Sequence, residues 1–162
     1  MTVDKAAIER DLRASWDTLK SLVDALSPQE ITQPGVIDSW SVKDLLGHMA
    51  FWAEKAAFDL KLLAAGRAQE IDTPGTLETL NAWNAREAEA RRHKSVEELR
   101  AEWLHSYQDA LAALHHTDAP LLETDVKGWP QITRFLGTTT EHYKEHADHI
   151  RAWQRQLETT EA

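Results

Sequence analysis

The chain has 162 residues, of which 42% are hydrophobic and 28% charged, with a formal charge of −9. That length and mix fit one globular domain over 1–162 and exclude a disordered or fibrous chain. Cysteine is absent, which excludes disulfides, thiolate metal sites and a cysteine nucleophile.

The acidic balance disfavours phosphate backbones, and the strongest basic run, "RRHK" at 91–94, is short and flanked by acid. No nucleic acid is therefore expected as a partner. Nor is a membrane, since no apolar run approaches the roughly 20 residues that cross a bilayer. The start, "MTVDKAAIERD", is acidic and mixed rather than a secretion signal, so a cytoplasmic place is expected. Seven tryptophans are expected in the core or lining a pocket.

Ile8, Leu12, Trp16, Leu19, Val23 and Leu26 recur at helical spacing and predict an amphipathic helix of about six turns. "SPQE" at 27–30 has a capping serine, proline at the first helical position and glutamate three residues after the cap. One short turn is expected there before "QPGV" breaks the chain. A second long helix starts near "SVKD" at 41–44 and, on Leu45, Leu46, Met49, Trp52, Ala56, Leu60 and Leu63, runs to residue 65. "DTPG" at 72–75 is turn chemistry, and a third helix covers 76–92 with the thin stripe Leu77, Leu80, Trp83 and Ala90. The capping box "SVEE" at 95–98 opens a fourth helix to residue 115. The stretch 117–131, with Pro120, Gly128 and Pro130, reads as irregular, and a final helix is expected over 132–158. No alternating strand pattern or internal repeat is present. The fold class is all-α: a four-helix bundle, up-and-down or with long connections, plus a short extra helix.

With His142 at zero on a helical wheel, His146 falls at about 40°, His149 at about −20° and Trp153 at about 20°. Phe135 and Thr138 share that stripe, so histidines fill an arc that a core-facing helix gives to apolar residues. Buried imidazoles need partners. Two at i and i+4 can converge on one ion, and His48, among Leu45, Met49 and Trp52, could complete a three-histidine set from a facing helix. Taken alone, a histidine in such a place is more often a core residue bonded to a backbone carbonyl. A metal centre, a titrating cluster and polar residues on a wet face all stay open on these residues.

Other motifs are weaker. "HYKEH" at 142–146 has the H-x-x-E-H form of inverted zinc peptidases, but those need a downstream ligand and a strand to align a peptide. "EWLH" at 102–105 is half of a di-iron pair whose second half is missing. His93, His115 and His116 lie near helix C-termini, where imidazolium meets the dipole favourably. Asp44 either orients His48 or is an early-turn helix acid. Glu145 is a candidate base or an exposed acid, and Trp52 is core or pocket wall.

"SWSVKDLLGHMAFW" at 39–52, followed by "GWPQITRFLGTTTEHYKEHADHIRAW" at 128–153, resembles the DinB/YfiT-like family of metalloenzymes over most of the chain. "LNAWNAREAEARRHKSVEEL" at 80–99 is similar to the branch typified by bacterial stress and colibactin self-protection proteins. The resemblance implies a four-helix bundle of unusual connectivity and a divalent metal held by three histidines. One follows the tryptophan-containing turn, and two are spaced by four on the last long helix. Here these are His48, His142 and His146. His149 matches a further histidine of some relatives, placed behind the ligands. Members of the self-protection branch can lack part of the triad; this chain keeps all three positions. Trp52, Thr138 and His149 become candidates for the pocket wall.

Three neutral imidazoles leave an ion, zinc or nickel by ligand type, its full double charge. Such an ion lowers the pKa of coordinated water toward about 7, lowers that of a thiol likewise, and polarises an electrophile. Relatives include thiol-dependent transferases and isomerases, so the resemblance implies a metal-dependent enzyme in which a low-molecular-weight thiol attacks a small electrophilic substrate. A metal-hydroxide hydrolase would use the same site. The alternative class is a non-catalytic bundle for binding or stress protection. Relatives commonly form homodimers, and a homodimer is expected here.

Overall fold

Capping side chains decide where most of the helices begin. In the computed structural model, which describes residues 3–161, α1 (Lys5–Asp24) opens on Asp4, whose carboxylate accepts from the Ala7 amide at 3.0 Å. Full capping boxes open α2 (Pro28–Thr32), α3 (Val42–Ala64) and α5 (Val96–His116), built by Ser27 with Glu30, Ser41 with Asp44, and Ser95 with Glu98. A 3₁₀ turn at Ala68–Glu70 follows α3, and α4 (Leu77–Arg91) is capped by Thr76 alone. The helices expected over the first 115 residues are therefore present, apart from differences at their frayed ends.

Two differences lie further along. The stretch read as irregular holds α6 (Ala119–Leu122) and a small antiparallel hairpin, β1 (Asp125–Val126) with β2 (Trp129–Pro130). Its loop residues Lys127 and Gly128 have φ of 52° and 89°, the paired positive values of a type I′ turn. Strands of two residues are too short to produce an alternating pattern. The single helix expected over 132–158 is also two, α7 (Gln131–Thr138) and α8 (Thr140–Glu161), broken at Thr139 with φ −130° and ψ −91°. The cause lies in "GTTT" at 137–140. The Thr138 hydroxyl donates to the Arg134 carbonyl at 2.9 Å, and that of Thr139 to the Phe135 carbonyl at 2.6 Å. Such back-bonding bends helices.

The four longest helices close a ring in which α1 packs on α8, α8 on α3, α3 on α5 and α5 on α1. The chain is an all-α bundle with long connections. Its core is aromatic at the centre: Trp16 stacks on Tyr107 at 4.2 Å and lies 4.1 Å from Trp103 and 5.8 Å from Tyr143. Four of the tryptophans, Trp16, Trp52, Trp103 and Trp153, are buried, whereas Trp129 is exposed.

α4 buries no residue and lies along α3. Its last residue anchors it. The Arg91 guanidinium meets Glu87 at 2.6 Å, Glu102 at 3.1 Å and Glu54 at 3.2 Å, and Glu102 also takes Lys94. Gly47 makes room for this clasp, because a Cβ there would sit 3.0 Å from Arg91 Cδ and 3.4 Å from Leu99. Among the described residues no helix is long and apolar enough to cross a membrane.

Candidate metal centre

The break at Thr139 restarts the helix just ahead of His142, so that His142 sits in the first turn of α8 and His146 one turn on. Both are buried, and His48, one turn past the capping box of α3, is partly buried. The structure brings these three imidazoles together. His142 Nε2 lies 2.9 Å from His48 Nε2 and 2.9 Å from His146 Nε2, and the three ligand atoms lie within 4.8 Å of one another. Nitrogens bound at 2.0–2.1 Å to one ion stand about 3.0–3.4 Å apart, so the observed spacing suits a shared cation.

Electrostatics agrees with that fit. Burial lowers the pKa of His48 to about 4, and burial aided by the neighbouring imidazoles lowers His142 to about 3 and His146 to about 2. At neutral pH all three are uncharged and carry lone pairs. Lone pairs facing one another at 2.9 Å repel unless a proton or a cation lies between them, and burial opposes extra protons. The outer nitrogens differ in their surroundings. His142 Nδ1 is buried without a well-formed hydrogen bond, although the Thr138 carbonyl one turn back favours a proton there. His146 Nδ1 lies 3.2 Å from His149 Nδ1. Partners on the outer nitrogen set tautomer and ring orientation in metal-binding histidines. The three histidines could hold a divalent ion.

Two clefts meet at this cluster. The larger, about 640 Å³, is lined by Trp40, Asp44, His48, Asn84, Glu89 and His146 among others. The smaller, about 480 Å³, is lined by Trp52, Asn84, Arg134, Thr138, Glu145 and all three histidines, with others. They share His48, Asn84 and His146.

Among the other candidates, Trp52 is both core and wall: it is buried, lines the smaller cleft and donates its indole N–H to Asn84 Oδ1 at 2.9 Å. Thr138 and the exposed Glu145 line the same cleft. His149 lines neither and stands behind His146 instead. Asp44 is the early-turn acid, accepting from the Ser41 amide and hydroxyl at 2.8 Å each. His93, His115 and His116 are exposed and stay outside the site.

Three residues escaped the sequence reading. Trp40, in a tight turn where its amide donates to the Ile37 carbonyl at 2.8 Å, meets His48 edge-on at 5.1 Å. Asn84 lies on α4, whose weak apolar stripe gave no sign that its polar residues face a cleft. Arg134 lies on the same cleft from α7. An asparagine within bonding reach of a buried indole is visible only in three dimensions.

Residues 12–158, a span that includes all three histidines, match the family described as the mycothiol maleylpyruvate isomerase N-terminal domain. The chain belongs to that family. Membership places it in the DinB/YfiT-like superfamily, as its tryptophan turn and histidine pair imply. No curated protein matches in sequence. The solved structures that share the fold include two that cover nearly all of the chain. An uncharacterised protein from Escherichia coli UTI89 superposes with a TM-score of 0.82 at 17% identity, over 95% of this chain and 94% of its own. The colibactin self-resistance protein ClbS, solved in complex with a double-stranded DNA, gives 0.80 at 16%, over 93% and 94%.

The ClbS complex overturns the expectation of no nucleic acid. That expectation rested on the sum of 18 basic and 27 acidic residues and on the shortness of any basic run along the sequence. A sum does not say on which face each sign lies, and one face is what a duplex meets.

Proposed function

We propose that this chain is a divalent-metal-dependent enzyme acting on small electrophilic molecules with a low-molecular-weight thiol, as a thiol transferase or isomerase. The carrying observation is the convergence of three imidazoles, from α3 and α8, where two clefts meet. The family name supports it by joining mycothiol, a thiol, to maleylpyruvate, a small unsaturated acid. His48, His142 and His146 would hold zinc or nickel. When bound, such an ion lowers the pKa of a thiol or water and polarises an electrophile.

The chain's own groups do the rest. His149 partners the outer nitrogen of His146. The Trp52–Asn84 hydrogen bond stiffens the wall between α3 and α4 and limits water. Glu145, at the edge of the smaller cleft, takes the proton that the thiol gives up. The same groups would serve a hydrolase using water in place of the thiol. We place the protein in the cytoplasm as a single domain that forms a homodimer.

Metal analysis of protein purified without a histidine tag, followed by zinc and nickel titration, tests this. Stoichiometric metal is expected, with affinity falling by orders of magnitude in His142→Ala or His146→Ala. Metal-free protein whose stability ignores both ions would overturn it.

A protection protein without catalysis is the alternative, favoured by the fold shared with ClbS, which is named for self-resistance and was solved on DNA. Fluorescence anisotropy with a labelled duplex addresses it. Duplex binding that survives His142→Ala, in protein with no thiol-dependent turnover, would favour protection over catalysis.

A further inference from the structure

We infer that Arg134 is the specificity-determining residue of the smaller cleft, the group that holds the carboxylate of an acidic electrophile; this deepens the enzymatic reading above and rests on it. At about 480 Å³ the cleft has the size of a small-molecule site. The three imidazoles, Trp52 and Leu80 line it together with Arg134.

Among the arginines that line the two clefts, Arg134 is the one held by carbonyls rather than by an acid. Its Nε donates to the Val126 carbonyl at 3.1 Å, and its Nη2 to the same carbonyl at 2.9 Å and to that of Lys127 at 3.4 Å. These neutral acceptors, presented by the hairpin, orient the guanidinium without cancelling its charge. Nη1 makes no hydrogen bond, and no carboxylate lies within 4.0 Å of the side chain among the described residues. Asp59 feels the charge but is already engaged by Lys55, at 2.6 and 2.7 Å. Arg67, Arg91, Arg100 and Arg151, by contrast, each pair with an acid.

A guanidinium is always charged, weakly hydrated and shaped to meet a carboxylate. An oriented, unpaired one beside an apolar wall and a candidate metal centre is an anion anchor. The larger cleft is the poorer choice for an anion. Asp38, Asp44 and Glu89 line it, and its Arg92 is paired with Glu89 at 3.1 Å. In the smaller cleft Glu145 is the one opposing charge, and it limits how many negative groups the cleft accepts.

Maleate and its neutral dimethyl ester are the probes, titrated by calorimetry into the metal-free protein so that an ion's own attraction for carboxylates does not enter. The wild type is expected to prefer maleate by about tenfold, as one charge-assisted pair supplies. Arg134→Gln should abolish that preference while leaving the ester unchanged. Glu145→Gln should tighten maleate alone. Should Arg134→Gln fail to fold, Arg134→Lys keeps the charge but loses the fork and should weaken maleate several-fold.

Equal binding of acid and ester by the wild type, or a preference unchanged in the Arg134 variants, overturns the inference. Failure to bind zinc with the acid preference intact would sink the metalloenzyme and leave the anchor standing. Zinc binding with no acid preference does the reverse.

Discussion

His142 stands between two other imidazoles at 2.9 Å, and its neutrality is what a metal-binding role for the cluster requires. That neutrality has a cost that can be measured. Unfolded, each imidazole returns to a pKa of about 6.5. Folded, the three lie at about 4, 3 and 2. Between those limits the unfolded chain binds more protons, so stability is fully present above about pH 6.5 and is lost as pH falls through the window below it. Metal-free protein should lose up to about 1.4 kcal/mol per pH unit for each of these histidines. Urea melts at roughly pH 7, 6 and 5 check it, and the slope should flatten in a His142→Ala/His146→Ala double variant. An equal slope in both proteins would contradict the assignment of the shifts to this cluster.

At the scale of elements, the helices are legible because their determinants are local. Ser41 and Asp44 sit three residues apart, and so do Ser95 and Glu98; each pair writes a helix start that needs no tertiary contact. The break between α7 and α8 is harder to see. Phe135, Thr138 and His142 keep the stripe of one continuous helix across it, and only the hydroxyl-to-carbonyl bonds of Thr138 and Thr139 reveal the kink. α4 is the element most dependent on others, since it buries nothing and is tied down through Arg91. Arg91→Ala leaves Glu54, Glu87 and Glu102 facing one another. It should destabilise by about 1–3 kcal/mol, less than a fully buried pair because Glu54 is 42% exposed. Denaturant melts give the magnitude. Hydrogen exchange should quicken selectively over residues 77–91, and a uniform change along the chain would argue against a local clasp.

For the whole molecule, the decisive fact is that the three histidines come from helices far apart in sequence. An ion bound by α3 and α8 favours the folded state by mass action. Zinc at a hundred times its dissociation constant should add about 2.7 kcal/mol and raise the melting midpoint by about 5–10 °C. Chelation should reverse the gain and His48→Ala abolish it, as scanning calorimetry would record. A midpoint that ignores chelator in zinc-loaded protein would mean that the two helices do not share an ion.

Periodicity and caps determined the helical class, the main helix starts and the common face of His142 and His146, because each depends on residues three or four apart. Cysteine chemistry within the chain was excluded the same way, by what is absent from the composition. His48 was readable either as a core histidine or as the third member of the set, and a resemblance to a family motif favoured the second. Tertiary structure decided that the three imidazoles converge, that Asn84 reaches Trp52, and that Arg134 lies on their cleft with no acid within 4.0 Å of it among the described residues. Those relations depend on how α3, α4, α7 and α8 pack, and packing is a sum of many distant contacts that no window of neighbouring residues contains.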